Sequence, residues 1–308
     1  MQAIARHSGF LCLGLTIAAS WTFAAAPPTQ KKFDTPELAS EALIVAAGNF
    51  DVPAMKEILG SDGMDLVVTG DPVLDKNQST AFAEKAREAN HIVRDAKHPD
   101  VVTLSIGEDD WPVPIPIVKD GKQWRLDTKA GRQEILYRRI GNNELDAIDV
   151  CHGYVEAQEE YASEKRDGSI VNQYAQRVIS TPGRHDGLAW QDPDGSWHGP
   201  VGEEIARAIG EGYAEGLNPY HGYSFKLLRM QGAHARMGSM DFVVKGAMIG
   251  GFALAAAPAE YRVTGVKTFI VSHDGIVYEQ DLGPYTRQAF KEMSRFDPDP
   301  SWHPVSDQ

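Results

Sequence analysis

Histidines set beside carboxylates and aromatics are the side chains of this 308-residue chain whose types best suit chemistry. His185-Asp186-Gly187 and His273-Asp274-Gly275 repeat one tripeptide. A histidine near a carboxylate could act as a base or hold a metal. Neighbouring side chains on a strand point to opposite faces, however, so adjacent residues do not form a dyad. Asp-Gly is tight-turn chemistry, and both tripeptides read as turns. Tyr220-His221-Gly222-Tyr223 reads as the start of a strand. His221 and Tyr223 would then share a face and could line a groove, or form a half-exposed aromatic face over the core. His221 is the histidine of greatest interest.

Other clusters carry less. Asp192-Pro193-Asp194-Gly195 resembles the opening of a calcium loop. The oxygen ligands and later glutamate that such a loop needs do not follow, so it reads as a turn. Glu108-Asp109-Asp110-Trp111 sets three carboxylates in a row. Consecutive acids read as a solvated loop, although desolvated pairs could do acid–base work. The glycines from Gly246 to Gly251 lie between strands with no helix after them, so they offer no helix N-terminus to a phosphate. No nucleophile elbow, phosphate loop, dinucleotide fingerprint or zinc spacing is present. No catalytic residue, cofactor or metal is assigned.

The composition is that of a globular protein, 42% hydrophobic and 24% charged. The formal net charge of −13 argues against nucleic acid and against anionic membrane surfaces. At the N-terminus Arg6 and His7 precede the apolar run Phe10–Phe23, and Ala24-Ala25-Ala26 follows. That is the pattern of a signal peptide over residues 1–26, with cleavage after Ala24 or Ala25 because Pro27 disfavours a cut after Ala26. Removal of this segment would leave Cys151 as the single cysteine, so no internal disulfide is expected, and its helical setting makes it a small core residue. The mature chain is expected to be periplasmic or extracellular, with no membrane span.

Helices must position these side chains first. Residues 27–32 read as a flexible leader. Thr35-Pro36 and Asp51-Pro53 open helices to Gly48 and Leu59, and a third helix is expected over Lys76–His91. Strands follow at Val101–Ile106 and Trp111–Val118. Prolines 112, 114 and 116 confine the latter to an edge or polyproline-like segment. Asp120-Gly121 marks a hairpin returning through Trp124–Asp127, and Arg132–Ile140 forms a helix ending at Gly141. The longest helix is expected over Asn142–Lys165. Leu145, Ile148, Cys151, Val155 and Ala162 make one apolar stripe of it, and Ala147, Val150, Tyr154, Ala157 and Tyr161 another, which predicts burial on more than one side. A helix Glu203–Glu215 and strands at Tyr220–Met230, Asp241–Val244, Gly250–Ala257, Val266–Ser272 and Ile276–Glu279 complete the pattern.

Three helices before a sheet with the return KDGKQWRLD resemble the cone of nuclear-transport-factor-2-like domains, over residues 33–141. The long helix followed by YHGYSFKLL and the Thr264-Gly265 and Asp274-Gly275 turns resembles a type IV pilin-like head, over residues 142–308. The signal segment, DDWPVPIPIVKDGKQWRLDTKAGRQEI, YVEAQEEYA, YAQRVISTPGRHDGLAW, PYHGYSFKLL, MIGGFALAAAPAEYRVTGVKTFIV and HDGIVYEQDLG together resemble the exported bacterial domain-of-unknown-function family 2950. The resemblance spans almost the whole mature chain and implies no activity.

The expected fold class is α+β: N-terminal helices on a curved antiparallel sheet, then a long central helix on a second antiparallel sheet. The expected function is a non-enzymatic binding or assembly module of the bacterial envelope, its partner another envelope protein. Trp111, Ile115, His221, Tyr223 and His273 are the candidates for partner or ligand contact. The competing reading is a small-ligand receptor or enzyme using a pocket inside the N-terminal cone. Filling of that interior by Trp124, Leu104 and Ile106 would weigh against it.

Overall fold

The computed structural model describes residues 30–202 and 219–306. The expected signal peptide and the Glu203–Glu215 helix lie outside the described residues. The chain divides into two compact units, one ending at Lys129 and one beginning at Ala130.

In the first unit, α1 (Pro36–Gly48) and α2 (Val52–Leu59) start as expected: Thr35 Oγ1 accepts the Leu38 N–H at 3.2 Å and Asp51 Oδ1 accepts the Ala54 N–H at 3.0 Å. The same device starts α3 (Pro72–Glu88) four residues before the expected Lys76, because Asp71 caps the Val73 and Leu74 N–H groups and Pro72 fits the first turn. The helix also ends earlier than expected. Asn90–Arg94 is strand β1, paired antiparallel with β2 (Val101–Ile106). Residues 30–32 are held against the unit, contrary to the expectation of a flexible leader. Gln30 Nε2 donates to the carbonyls of Ile58 and Leu126, and the Lys31 N–H donates to that of Glu57.

The proline-rich segment resolves into two short strands along one side of β2. Trp111–Pro112 (β3) pairs with Ser105 and Ile106, while Ile117–Asp120 (β4) pairs with Val101 and Val102 on one side and with β5 (Gln123–Leu126) on the other. Val113, Ile115 and Ile117 are buried while the intervening prolines face outward, so strand alternation survives without a full ladder. Gly121 supplies the positive φ of +68° that the β4–β5 turn requires. The core gathers Leu43, Met55, Ile58, Val102, Ile117 and Trp124 beneath the helices.

Helix α4 runs unbroken over Thr128–Ala162, so the expected stop at Gly141 does not occur. A helical glycine there costs only about 1 kcal/mol relative to alanine. In the second unit the main sheet has the order β16-β15-β14-β13-β8: β8 is Tyr223–Leu228, β13 Ala253–Pro258, β14 Thr268–Ser272, β15 Val277–Gln280 and β16 His303–Pro304, all antiparallel. Every position of β13 and β14 is buried, so both faces of the sheet are covered. Cover comes from α4 and from α5 (Thr286–Glu292), which packs against β13. Small ribbons surround this layer: β6 (Trp190–Gln191) with β7 (Trp197–His198), β9 (Met230–Gln231) with β10 (Met240–Asp241), and β11 (Val243–Val244) with β12 (Ala247–Met248). The fold is α+β with a long central helix on a second antiparallel sheet. No helix among the described residues is long and apolar enough to cross a membrane.

Candidate functional site

Helix α4 buries one arc and opens another. Ala147, Val150, Cys151, Tyr154, Ala157 and Tyr161 are buried, whereas Leu145 of the other apolar stripe is 49% exposed. At about 100° per residue, Leu145 sits roughly 160° around the helix from Ala147, on the solvent side. Asp146, Asp149, Gly153, Glu156 and Glu160 recur at spacings of three and four and therefore share one face. That face forms one wall of a groove of about 410 Å³ whose other wall is Pro200-Val201-Gly202 and Tyr220-His221. Val150, Tyr154 and Ala157 supply an apolar floor.

Tyr220-His221-Gly222-Tyr223 is a turn, not the start of a strand. The Tyr223 N–H donates to the Tyr220 carbonyl at 2.9 Å, with φ of +44° at His221 and +76° at Gly222. Positive φ at both central residues is the geometry of a type I′ turn. A Cβ at Gly222 would also lie 2.7 Å from Asn143 Nδ2, so the position is closed to other residues. The turn separates the two side chains expected to share a face. His221 points into the groove, where Nδ1 lies 2.5 Å from Asp146 Oδ2 and the Tyr220 ring stacks on the imidazole at 4.2 Å. An N–H at Nδ1 would donate to the carboxylate. Tyr223 is 0% exposed, and its hydroxyl donates to the Lys267 carbonyl at 2.8 Å. Desolvation pushes that phenol well above its ordinary range, with the nearby Glu144 carboxylate adding to the shift.

The remaining candidates stand elsewhere. Trp111 opens β3 at 39% exposure, whereas Ile115 is 7% exposed and belongs to the core of the first unit, closed to surface contact. His273 sits edge-on to the rings of Phe242 and Phe252, and its buried Nδ1 has no hydrogen-bond partner. The tripeptide it opens is a turn, closed by the Gly275 N–H on the Ser272 carbonyl at 2.9 Å. His185 stacks on Trp190 at 4.5 Å, while Asp186 accepts from the Thr181 N–H and hydroxyl. Asp192–Gly195 is likewise a turn. Trp124, Leu104 and Ile106 are buried inside the first unit, which weighs against a pocket there.

The groove offers acceptors and few donors. Among the described residues no lysine or arginine lines it, and Asp149, Glu156 and Glu160 have no side-chain hydrogen bond or ion pair with another described residue. Nor do any three His, Cys, Asp or Glu side chains among the described residues gather closely enough to hold a metal ion. Cys151 lies on the buried side of α4, and burial pushes its thiol up to about 12, which removes it as a nucleophile. Sequence reasoning singled out His221 and passed over the carboxylates that share its groove. Their signal was the three-and-four spacing of acids on the helix.

No curated protein and no solved structure gives a match to the chain. A family model described as protein of unknown function, DUF2950, matches residues 30–305, and the chain belongs to that family.

Proposed function

We propose that this chain is an exported, non-enzymatic binding module of the bacterial envelope, and that the α4 groove of the second unit is its contact surface. One observation carries the reading: an apolar-floored groove whose His221 is fixed by Asp146 and Tyr220, with no nucleophile or metal set beside it among the described residues. Export rests on the charged, apolar and alanine-rich order of residues 1–26. The likenesses of the first unit to a nuclear-transport-factor-2-like cone and of the second to a pilin-like head belong to the same proposal. They rest on the order of helices and antiparallel strands in each unit.

The groove takes precedence over the Trp111–Val118 segment as contact surface, because the inward side chains of that segment fill the core. The test is affinity capture of the full chain from crosslinked native envelopes, beside a Gly153→Leu variant that plugs the groove without changing its charge. A discrete partner lost with the plug is expected. A partner retained equally by both proteins would remove the groove from the account.

A further inference from the structure

We infer that the loop after α4 holds a site for a carboxylate ligand, with the Arg166 guanidinium as its donor. The inference goes beyond the α4 groove and stands without it. Asn172 closes the end of the helix, donating from Nδ2 to the carbonyls of Ala162 at 2.8 Å and Ser163 at 3.2 Å. Inside that closure Arg166-Asp167-Gly168-Ser169 forms a turn, with the Ser169 N–H on the Arg166 carbonyl at 2.9 Å. Its central residues have φ of +49° and +73°, the signs of a type I′ turn. Asp167 anchors the turn by accepting the His185 N–H, 3.0 Å from each of its oxygens. The guanidinium is thereby laid against two rings, with Cζ 5.0 Å from the centre of Tyr161 and 5.2 Å from that of Trp190. Both rings are themselves held. The Tyr161 hydroxyl donates to the His185 carbonyl at 2.6 Å, and the His185 imidazole stacks on Trp190. Contact with two fixed rings orients the guanidinium.

The rings supply no acceptor. Among the described residues, Nε donates to the Tyr161 carbonyl over a long 3.4 Å, and Nη2 lies 3.8 Å from Glu164 Oε2, outside hydrogen-bond reach. The side chain is only 15% exposed, yet its terminal nitrogens are not sealed from solvent. The other carboxylates near Tyr161 are engaged elsewhere. Asp167 holds His185, and Asp186 accepts from the Thr181 N–H and hydroxyl and faces Arg177. A guanidinium that is largely desolvated, oriented and short of acceptors suits a carboxylate on its Nη1–Nη2 edge, where two parallel N–H groups match two oxygens. Glu164 and Asp167 flank this one arginine, so a dianion such as phosphate meets more repulsion than a carboxylate does. Ile170, 87% exposed on the same loop, favours an apolar group beside the carboxylate.

A free organic acid and a peptide C-terminus share that chemistry. The experiment titrates the full chain by calorimetry with acetyl-glycyl-leucine, its C-terminal amide, 4-methylpentanoate and inorganic phosphate. Saturable binding of at least one of the two carboxylates is expected, with none of the amide. Tighter binding of the dipeptide would name a peptide C-terminus as the source, and equal or tighter binding of 4-methylpentanoate a free acid. Arg166→Gln should weaken binding about tenfold, the usual scale of a hydrogen bond to a charged group. Glu164→Gln removes the competing carboxylate without touching the rings and should tighten it. Binding of neither carboxylate, equal binding of the amide, tighter binding of phosphate, or affinity unchanged in Arg166→Gln would overturn the inference. Should Arg166→Gln fail to fold, an affinity unmoved or weakened by Glu164→Gln overturns it by itself.

Discussion

Two residues of α4 decide what the second unit tolerates. Cys151 is fully buried, and its thiol is held neutral to about pH 12 by desolvation; the phenols of Tyr154 and Tyr161 shift upward for the same reason. Unfolded, the thiol ionises from about pH 9, so between there and about 12 the unfolded chain holds fewer protons than the folded one. Stability is therefore fully present below pH 9 and falls as pH rises towards 12, which urea midpoints at pH 8 and pH 10.5 would register. A thiol reagent should label Cys151 only after denaturation; rapid labelling of the native chain at pH 8 would contradict this. Gln158 is the second. It donates to the Ala175 carbonyl and the Tyr154 hydroxyl and accepts the Ala175 N–H, all within 2.9 Å. Gln158→Met keeps the volume but leaves the Ala175 backbone buried and unpaired, so a loss of about 2–4 kcal/mol is expected by chemical denaturation. The burial of Cys151 was legible in its helical stripe, but the Gln158 contacts were not, since nothing periodic links Gln158 to Ala175. His221 was legible as a residue. Its role was not, because Asp146 lies 75 positions away and the positive φ at Gly222 turned the expected strand into a turn.

Elements read well wherever local chemistry marks their ends. Threonine or aspartate followed by proline located the starts of α1 and α2, and the same signal at Asp71-Pro72 was passed over for α3. Strand β1 was missed because Asn90–Arg94 is short and polar, and only its pairing with β2 makes it a strand. Glycine misled in the opposite direction at α4, where Gly141 reads as a stop and lies mid-helix. A Cβ there meets nothing within 4 Å, so Gly141→Ala should stabilise the chain by about 1 kcal/mol through helix propensity. Gly121→Ala should do the reverse, costing about 1 kcal/mol or more, because its φ of +68° excludes a side chain without strain. Paired thermal melts of the two variants test both; equal shifts would mean that backbone conformation is not what distinguishes them. The acidic face of α4 was equally visible in the residues. Reading the helix for burial alone drew attention to its apolar stripes and away from the positions that line the groove.

For the whole molecule, composition set the limits and geometry chose within them. A net charge of −13 argues against nucleic acid without saying where on the surface the charge lies. The fold concentrates part of it on one helix face, opposite a turn that carries His221, over an apolar floor. The first unit, by contrast, fills its interior with Trp124, Leu104 and Ile106. These features are the ground for proposing the second unit as the binding part of the chain. The most direct test places a photo-activatable crosslinker in the full chain at position 153, and separately at position 111, in the native envelope. The account predicts a discrete adduct from position 153 and none above background from position 111. Adducts from position 111 alone would contradict it and return the contact surface to the proline-rich segment of the first unit.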